Sequence, residues 1–387
     1  MKRLSVIIAS YIESIRQGNR FMWIWEHSNW PDFNWDKAKI TPLLEKAHLA
    51  HQAFLNRVSW LQADFAKEAQ AQTLEEEAMQ TSAIEGELLK RASVRSSVAR
   101  HLGISQEMGK QDQQIEGLVA LLMDASNYHA KLSQEKLFSW HAGLFPTGYS
   151  SIYKIHVAAY RLEKMYVMSG PHGKQTTHFE APPPEKLHAE MESFIRWFNQ
   201  TQGSLDGILR AGLAHFYFVT LHPFDDGNGR IARALIDLAL SQHEKSDKRF
   251  YRLSAEIEKH RKKYYDILEL SQKNTLDITA YLQWFLDTFI AAIERSEHTL
   301  ERVLNKALFW QQHYLADLNT RQKKVLNLLL DSGDEFIGNM NTRKYVSINK
   351  VSRATAYREL HDMVEKACLD VMAQGRGTNY KLKKLEK

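Results

Sequence analysis

Along most of the chain, apolar residues recur at three- and four-residue spacing, a period that predicts helices. Between Pro42 and Met79 it is carried by Leu44, Ala47, Leu49, Phe54, Val58, Leu61 and Phe65, with Pro42 placed to open the helix. Residues 97–300 keep the helical rhythm with one interruption. Lys164 to Gly170 and Thr176 to Ala181 are β-like around a Pro171–Gly173 turn, which predicts a hairpin. Pro182–Pro184 ends it, and a helix resumes over Glu185–Asn199. From about Asn319 the pattern shortens. Helices are expected over Arg321–Leu330, Thr342–Val346 and Lys350–Ala367, with Ser347–Asn349 between the last two. Leu369–Met372 and Asn379–Leu382 then read as a two-stranded wing around Gly375–Gly377. Three helices and a wing is the winged helix-turn-helix plan. The expected fold is therefore mainly α: a helical N-terminal domain (1–96), a helical core with a β-hairpin (97–300) and a small α+β C-terminal domain (301–387).

Composition adds bounds. With 387 residues, 44% hydrophobic and 25% charged, the chain has an ordinary globular make-up with room for two or three domains. Its one cysteine, Cys368, excludes an internal disulfide and a cysteine metal cluster, and fits a cytoplasmic setting. No apolar run is long enough to cross a bilayer, so no membrane partner is expected. Lys2 and Arg3 precede an apolar Leu4–Ala9, but Glu13 closes that run and no small-residue cleavage site follows. The segment reads as a native extension, or an upstream start codon, rather than a signal peptide. The net charge of +5 is uneven: residues 318–387 hold 14 Lys and Arg against 8 Asp and Glu. A basic tail on a near-neutral body suggests a nucleic-acid-facing module. Trp23, Trp25, Trp30, Phe33 and Trp35 form an aromatic cluster that could bind a ligand, although packing is the commoner use.

The chemistry concentrates in His222 to Arg233, HPFDDGNGRIAR. Ile208–Leu221 is helical and delivers His222 to its end, where Pro223 stops the helix. Gly227, Asn228 and Gly229 can adopt positive φ and aim successive N–H groups at one point. A new helix from Arg230 to Leu240 adds its N-terminal amides to that cradle. Arg230 and Arg233, three apart, can both face a polyphosphate. Asp226 can hold a magnesium ion, Mg²⁺, between phosphate oxygens. His222 has the proton affinity to deprotonate an incoming hydroxyl. Cradle, carboxylate, arginines and base together describe transfer of a phosphorus group.

The run resembles the Fic signature, H-x-F-x-[DE]-G-N-G-[KR]-x-x-R, and matches every fixed position. The likeness extends over about two hundred residues, including the upstream hairpin and the downstream Leu253-Ser254-Ala255 and Tyr264-Tyr265. It implies a protein adenylyltransferase: His222 activates a Ser, Thr or Tyr hydroxyl of a target protein, which attacks the α-phosphate of ATP. Asp226 would hold Mg²⁺; Gly227, Asn228 and Gly229 would bind phosphates, with Arg230 beside them, in a site that includes Ile231 and Ala232. Arg233 would seat the γ-phosphate and Tyr264 the adenosine end. A Fic relative acting as a kinase carries lysine where this chain has Gly229, which favours AMP transfer here. The hairpin resembles the family's target flap, with Val167, Met168 and Ser169 as the edge that pairs with substrate.

Thr81 to Gly86, TSAIEG, places Thr81 and Glu85 on one helical face. It resembles the Fic inhibitory motif, [ST]-x-x-x-E-[GN]. In an arginine-rich pocket, Glu85 would pair bidentately with Arg233 and occupy the seat of the γ-phosphate. Toward the C-terminus, Ser352 and Thr355 can cap a helix and touch phosphates, Arg353 and Arg358 can reach a DNA groove, and Arg376 would tip the wing. Docking of a protein or of a second copy, as in a homodimer, is the alternative use of such a module. Two further activities stay open: a DNA-binding regulator whose Fic core only senses nucleotide, and transfer or removal of another nucleotide-derived phosphate group. An intact His222 argues against mere sensing. Self-modification is also compatible with the many hydroxyls.

Overall fold

The computed structural model describes all residues except 1–21, 62, 105–110, 170–175, 274, 333–338, 374–377 and 384–387. The N-terminal run, the flap turn at Pro171–Gly173 and the wing turn at Gly375–Gly377 therefore lie outside the described residues. The chain is mostly helical. In order come α1 (Lys37–Ser59), α2 (Ala63–Ile84), α3 (Arg91–His101), α4 (Gln113–Asp124) and α5 (Gln134–Leu144). A short hairpin follows, β1 (Tyr149–Ser150) and β2 (Tyr153–Lys154), then a longer one, β3 (Tyr166–Ser169) and β4 (Thr176–Glu180). Next are α6 (Pro184–Gln200), α7 (Gly207–Leu221), α8 (Asn228–Glu244), α9 (Ser254–Lys259), α10 (Arg261–Ser271) and α11 (Thr279–Gln312). The chain ends with α12 (Thr320–Ser332), α13 (Thr342–Asn349), α14 (Arg353–Glu365), β5 (Leu369–Ala373) and β6 (Asn379–Leu382).

Two compact units form, one of residues 1–53 and 70–293, the other of 54–69 and 294–387. The cuts fall inside α1, α2 and α11, so the units differ from the three segments expected from sequence. Continuous helices cross the expected boundary at 300 and give residues 54–69 to the C-terminal unit. Pro42 does not open α1; it sits one turn inside, where its missing N–H leaves one helical carbonyl without its usual donor.

In the larger unit every residue of α7 is buried, as an all-round apolar sequence requires. Asp206 caps its start, accepting from the amides of Ile208 and Leu209 at 3.0 Å each. Helix α8 packs along α7 and is nearly as buried, so the loop between them, 222–227, is held at both ends by core helices. The aromatic cluster serves packing. Trp30 meets Tyr217 edge-on at 5.2 Å, Trp23 meets Phe179 at 5.4 Å, and Trp25 Nε1 donates to the Glu180 carbonyl at 2.7 Å. The N-terminal tryptophans thus brace the base of β4.

In the smaller unit, Val325, Leu326, Tyr345, Leu360, Met363 and Cys368 form a buried cluster with Leu369 and Tyr380 of the terminal hairpin. Helix α13 runs through Ser347–Asn349, the expected break. The turn comes later, at Lys350, which adopts φ +53°, and Val351 and Ser352 precede α14. Ser352 caps α14 through the Thr355 amide at 3.1 Å, and Arg353, Tyr357 and Arg358 are exposed on that helix.

Candidate active site

Helix α7 ends because His222 turns into the left-handed region (φ +47°, ψ +57°) and Pro223 offers no donor. His222 Nδ1 lies 3.2 Å from the Val219 carbonyl. A carbonyl only accepts, so Nδ1 carries the proton and Nε2 keeps its lone pair. Burial, reinforced by the charge of Arg161, holds the pKa of His222 below the ordinary histidine value despite that hydrogen bond. The neutral, base-competent form therefore persists below neutrality.

Arg161 fixes this segment. Its Nε donates to the His222 carbonyl at 2.8 Å, Nη1 to Glu163 O at 2.8 Å and Nη2 to Pro182 O at 2.5 Å, while its own amide donates to Pro223 O at 2.9 Å. It thereby ties the histidine to the root of the longer hairpin. Its burial lowers its pKa to about 10.

The next residues close a tight loop. The Asn228 side chain accepts from the Phe224 amide at 2.9 Å and donates to the Phe224 carbonyl at 2.8 Å. It is a brace for the loop, so only its backbone can serve an anion. Of the triplet, only Gly227 takes positive φ (+81°), and an added Cβ there would meet the Phe145 ring at 2.8 Å. Asn228 and Gly229 already belong to α8, contrary to the expected run of positive φ. The cradle is instead the first turn of a helix, where the amides of Asn228, Gly229 and Arg230 lack intrahelical acceptors.

Beneath the loop, the His141 ring stacks on Phe224 at 4.2 Å. It accepts the Ala158 amide at Nδ1 (3.1 Å) and donates from Nε2 to Asp226 O (3.1 Å); burial lowers its pKa to about 4. Asp225 is committed to the His156 amide and ring, both at 2.8 Å. Asp226 keeps a partly open carboxylate, which accepts from Ser150 Oγ of β1 and from the Gly227 amide. Among the described residues no cluster of three or more His, Cys, Asp or Glu side chains could enclose a metal. One open carboxylate beside an anion cradle suits Mg²⁺, which is commonly held by a carboxylate or two together with substrate phosphates.

Both arginines of α8 are 2% exposed. Arg233 Nε donates to Thr81 Oγ1 at 2.7 Å, and Nη2 donates to Thr81 O and Glu85 Oε1, each at 2.8 Å. The expected bidentate Glu85–Arg233 pair is replaced by a single contact, because Thr81 takes the Nε edge. Arg233 Nη1 is buried and has no hydrogen-bond acceptor among the described residues. A Cβ added to Gly229 would lie 3.1 Å from that Nη1 and only 2.2 Å from Glu85 Oε1. The Glu85 carboxylate thus lies over the first turn of α8, in the space an anion would fill.

Glycine lets α2 deliver a second carboxylate. Gly86 ends the helix at φ +86°, and Glu87 beyond it accepts from Arg230 Nη1 at 2.9 Å. Arg230 Nη2 is also 3.9 Å from Asp226 Oδ1, and the guanidinium lies 5.0 Å from the Phe145 ring centre.

Several expected contacts are relocated. The side chains of Ile231 and Ala232 are fully buried in the core, which leaves only their backbones to meet a nucleotide. Tyr264 is 2% exposed and its hydroxyl engages His215, so its side chain is enclosed in the core rather than in open space for an adenosine. The neighbouring Tyr265 is 40% exposed, with its hydroxyl 3.4 Å from Ile84 O. In the flap, β3 pairs only with β4 among the described residues, with an irregularity between Val167 and Met168, and Met168 is 47% exposed. Ser169 ends the described strand. Sequence reading missed Glu87, Ser150, His141 and Arg161. Of these only Glu87 had a local signal, an acidic residue next to the glycine that ends α2.

Comparison with known proteins agrees with this geometry. Residues 131–240 match the Fic/DOC family, and residues 23–104 match a domain of unknown function, DUF4172. The Uridine 5'-monophosphate transferase of Xanthomonas campestris pv. campestris (strain 8004) is 29% identical over 169 residues, 38% of this chain and 31% of that protein. The Protein adenylyltransferase Fic of Aedes aegypti is 33% identical over 107 residues, 27% of this chain and 20% of its own. Protein adenylyltransferase fic-1 of Caenorhabditis elegans is 25% identical over 166 residues, 41% and 30% respectively. The matched stretch therefore spans about a fifth to a third of these relatives' lengths. The crystal structure of a Fic family protein from Desulfovibrio desulfuricans G20 shares the fold, with a TM-score of 0.54 at 16% identity over 90% of this chain and 97% of the other. Loop geometry, helix pair and sequence match agree over residues 131–240, the stretch that is similar to the Fic/DOC family.

Proposed function

We propose that this chain transfers the AMP moiety of ATP to a Ser, Thr or Tyr hydroxyl of a protein, and that Glu85 restrains it. The observation that carries this is the Glu85 carboxylate resting on Arg233 above the first turn of α8, an internal anion in an anion seat. In the reaction, His222 Nε2 takes the proton of the incoming hydroxyl, whose oxygen bonds to the α-phosphorus. The bond to the bridging oxygen breaks and pyrophosphate leaves. The amides of Asn228, Gly229 and Arg230 stabilise charge on the phosphate oxygens, and Arg233 Nη1 receives the terminal phosphate. Mg²⁺, when bound at Asp226, supplies charge neutralisation between phosphates. The open edge of β3 is available to pair with an extended target segment, which supports placing a hydroxyl by backbone contacts rather than by sequence.

Transfer of UMP from UTP is the second reading, favoured by the similarity to a uridine 5'-monophosphate transferase. The two separate by donor label. Incubation of the Glu85→Gly variant with cell lysate is expected to label protein from α-labelled ATP, but not from γ-labelled ATP. Label from α-labelled UTP alone would replace AMP by UMP, and label from the γ-position would replace both by phosphoryl transfer.

Glu87 supports a second restraint, since it neutralises Arg230 as Glu85 does Arg233. Adding Glu87→Gln to the Glu85→Gly variant is expected to tighten ATP binding about tenfold, the scale of one charged hydrogen bond exchanged for another. Titration of ATP into the two variants checks this; equal affinities would reduce Glu87 to an anchor for the end of α2.

A further inference from the structure

No residue beyond α11 has a role in the proposed transfer, yet the helices there sort their charge by face. Residues 339–358 carry the turn from α13 to α14 and hold five Lys and Arg with no Asp or Glu. The acids that follow are engaged. Glu359 is 5% exposed; it accepts from Arg321 and, at 2.7 Å, from the Tyr345 hydroxyl. Asp362 accepts from Gln322 Nε2 at 2.6 Å and from Lys366 Nζ at 2.7 Å. The exposed acid of α14, Glu365, comes near its end, 3.4 Å from His361.

The basic groups divide in the same way. Lys324 and Lys344 donate to the carbonyls of Ile348 and Asn339, each at 3.2 Å. Arg343, Lys350, Arg353 and Arg358 are exposed, and none has a hydrogen-bond or ion-pair partner among the described residues. One exposed cation is ordinary. Four within sixteen residues, with no acid among them, repel one another and set up a local positive field.

The scaffold under these cations is rigid. Ala356, Leu360 and Met363 of α14 are buried against the core of the smaller unit. Lys350 makes the turn between the helices at φ +53°. Met340, just before α13, exchanges two backbone hydrogen bonds with Tyr380 of β6, at 3.0 and 2.8 Å, which ties the terminal hairpin to the helix pair. The outward face of α14 carries Arg353, Ala354, Tyr357, Arg358 and His361. That is one helical stripe of donors, a methyl group and an aromatic ring.

We infer that α14 is a recognition helix for double-stranded DNA. Arg343 and Lys350 contact phosphates, while Arg353 and Arg358 enter the groove. A helix about 10–12 Å across fits the major groove of B-DNA, about 12 Å wide. The deep, narrow major groove of an RNA duplex does not admit one. A second copy is disfavoured by charge, since a two-fold contact through this face would set the four cations against their equivalents. This surface and the transfer reaction are independent, and either stands without the other.

The test titrates the full chain into a labelled random-sequence DNA duplex and follows fluorescence anisotropy. Four phosphate-scale contacts predict a log–log salt slope of about −3 to −4, or roughly a hundredfold loss of affinity from about 50 to 200 mM NaCl. Arg343→Gln/Lys350→Asn is expected to reduce that slope by about two. Asparagine is chosen at 350 because it tolerates positive φ. Lys262→Gln/Lys263→Gln removes the same charge from exposed positions on α10 and should leave the slope unchanged. Equal losses in the two pairs would reduce binding to net charge and overturn the site. Absence of binding at low salt, or equal affinity for an RNA duplex, would also overturn it. So would a self-association, seen by sedimentation without DNA binding, that Arg343→Gln/Lys350→Asn abolishes; it would make this face a contact between copies.

Discussion

Replacing Glu85 by glycine is expected to raise protein labelling from α-labelled ATP about a hundredfold over the wild-type chain. The magnitude follows from geometry. The Glu85 oxygen lies where a Cβ on Gly229 would collide with it, directly over the amides that would orient the phosphates. A nucleotide that binds beside this carboxylate must shift its terminal phosphate away from Arg233, and the α-phosphorus shifts with it. A displacement of about 1 Å in a reacting centre costs about two orders of magnitude in rate. The variant should remain folded, because Thr81 still holds Nε and Nη2 of Arg233. Glu85→Gln is the informative intermediate: it keeps the shape and an acceptor oxygen but removes the charge, so its labelling should fall between wild type and glycine. Equal labelling by wild type and Glu85→Gly would sink the restraint and leave Glu85 as an ordinary, partly exposed ion-pair partner.

How much of this was legible in sequence depended on how local each contact is. His222, Asp226, Gly227, Arg230 and Arg233 fall within twelve residues, so spacing alone could group them. Thr81 and Glu85 are one helical turn apart, and the shared face they imply is the face that meets Arg233. Membership of a run does not say where each side chain points. Ile231 and Ala232 turn into the core between the two arginines, and the Asn228 side chain folds back onto Phe224. Arg161 was illegible for a different reason: its acceptors are carbonyls, which any residue type supplies, up to 61 residues away. Ser150 reaches Asp226 across 76 residues from a hairpin of two-residue strands, too short to leave a period. Tyr264 and Tyr265 are adjacent and chemically alike, and only the packing of α10 decides that the first is buried and the second open.

Loss of the base should be the larger effect of all. In the Glu85→Gly background, His222→Ala is expected to lower transfer by about two to four orders of magnitude, the usual share of a positioned general base, while ATP still binds. Alanine introduces a complication at this position, since residue 222 sits at φ +47°, a conformation that costs most side chains energy. Asparagine tolerates that region better and cannot act as a base. If His222→Asn is as inactive as His222→Ala, backbone strain is not the cause, and retained ATP affinity in both excludes a collapsed cradle. The pH dependence gives an independent check. The active form is the neutral ring, and burial favours that form, so activity should stay level as pH falls through the ordinary histidine value of 6.5 and decline only below it. A decline centred at or above 6.5 would mean that the ring is solvated during turnover, or that another group takes the proton. Activity retained by both substitutions would remove His222 from the reaction and make its place at the end of α7 purely a matter of the turn.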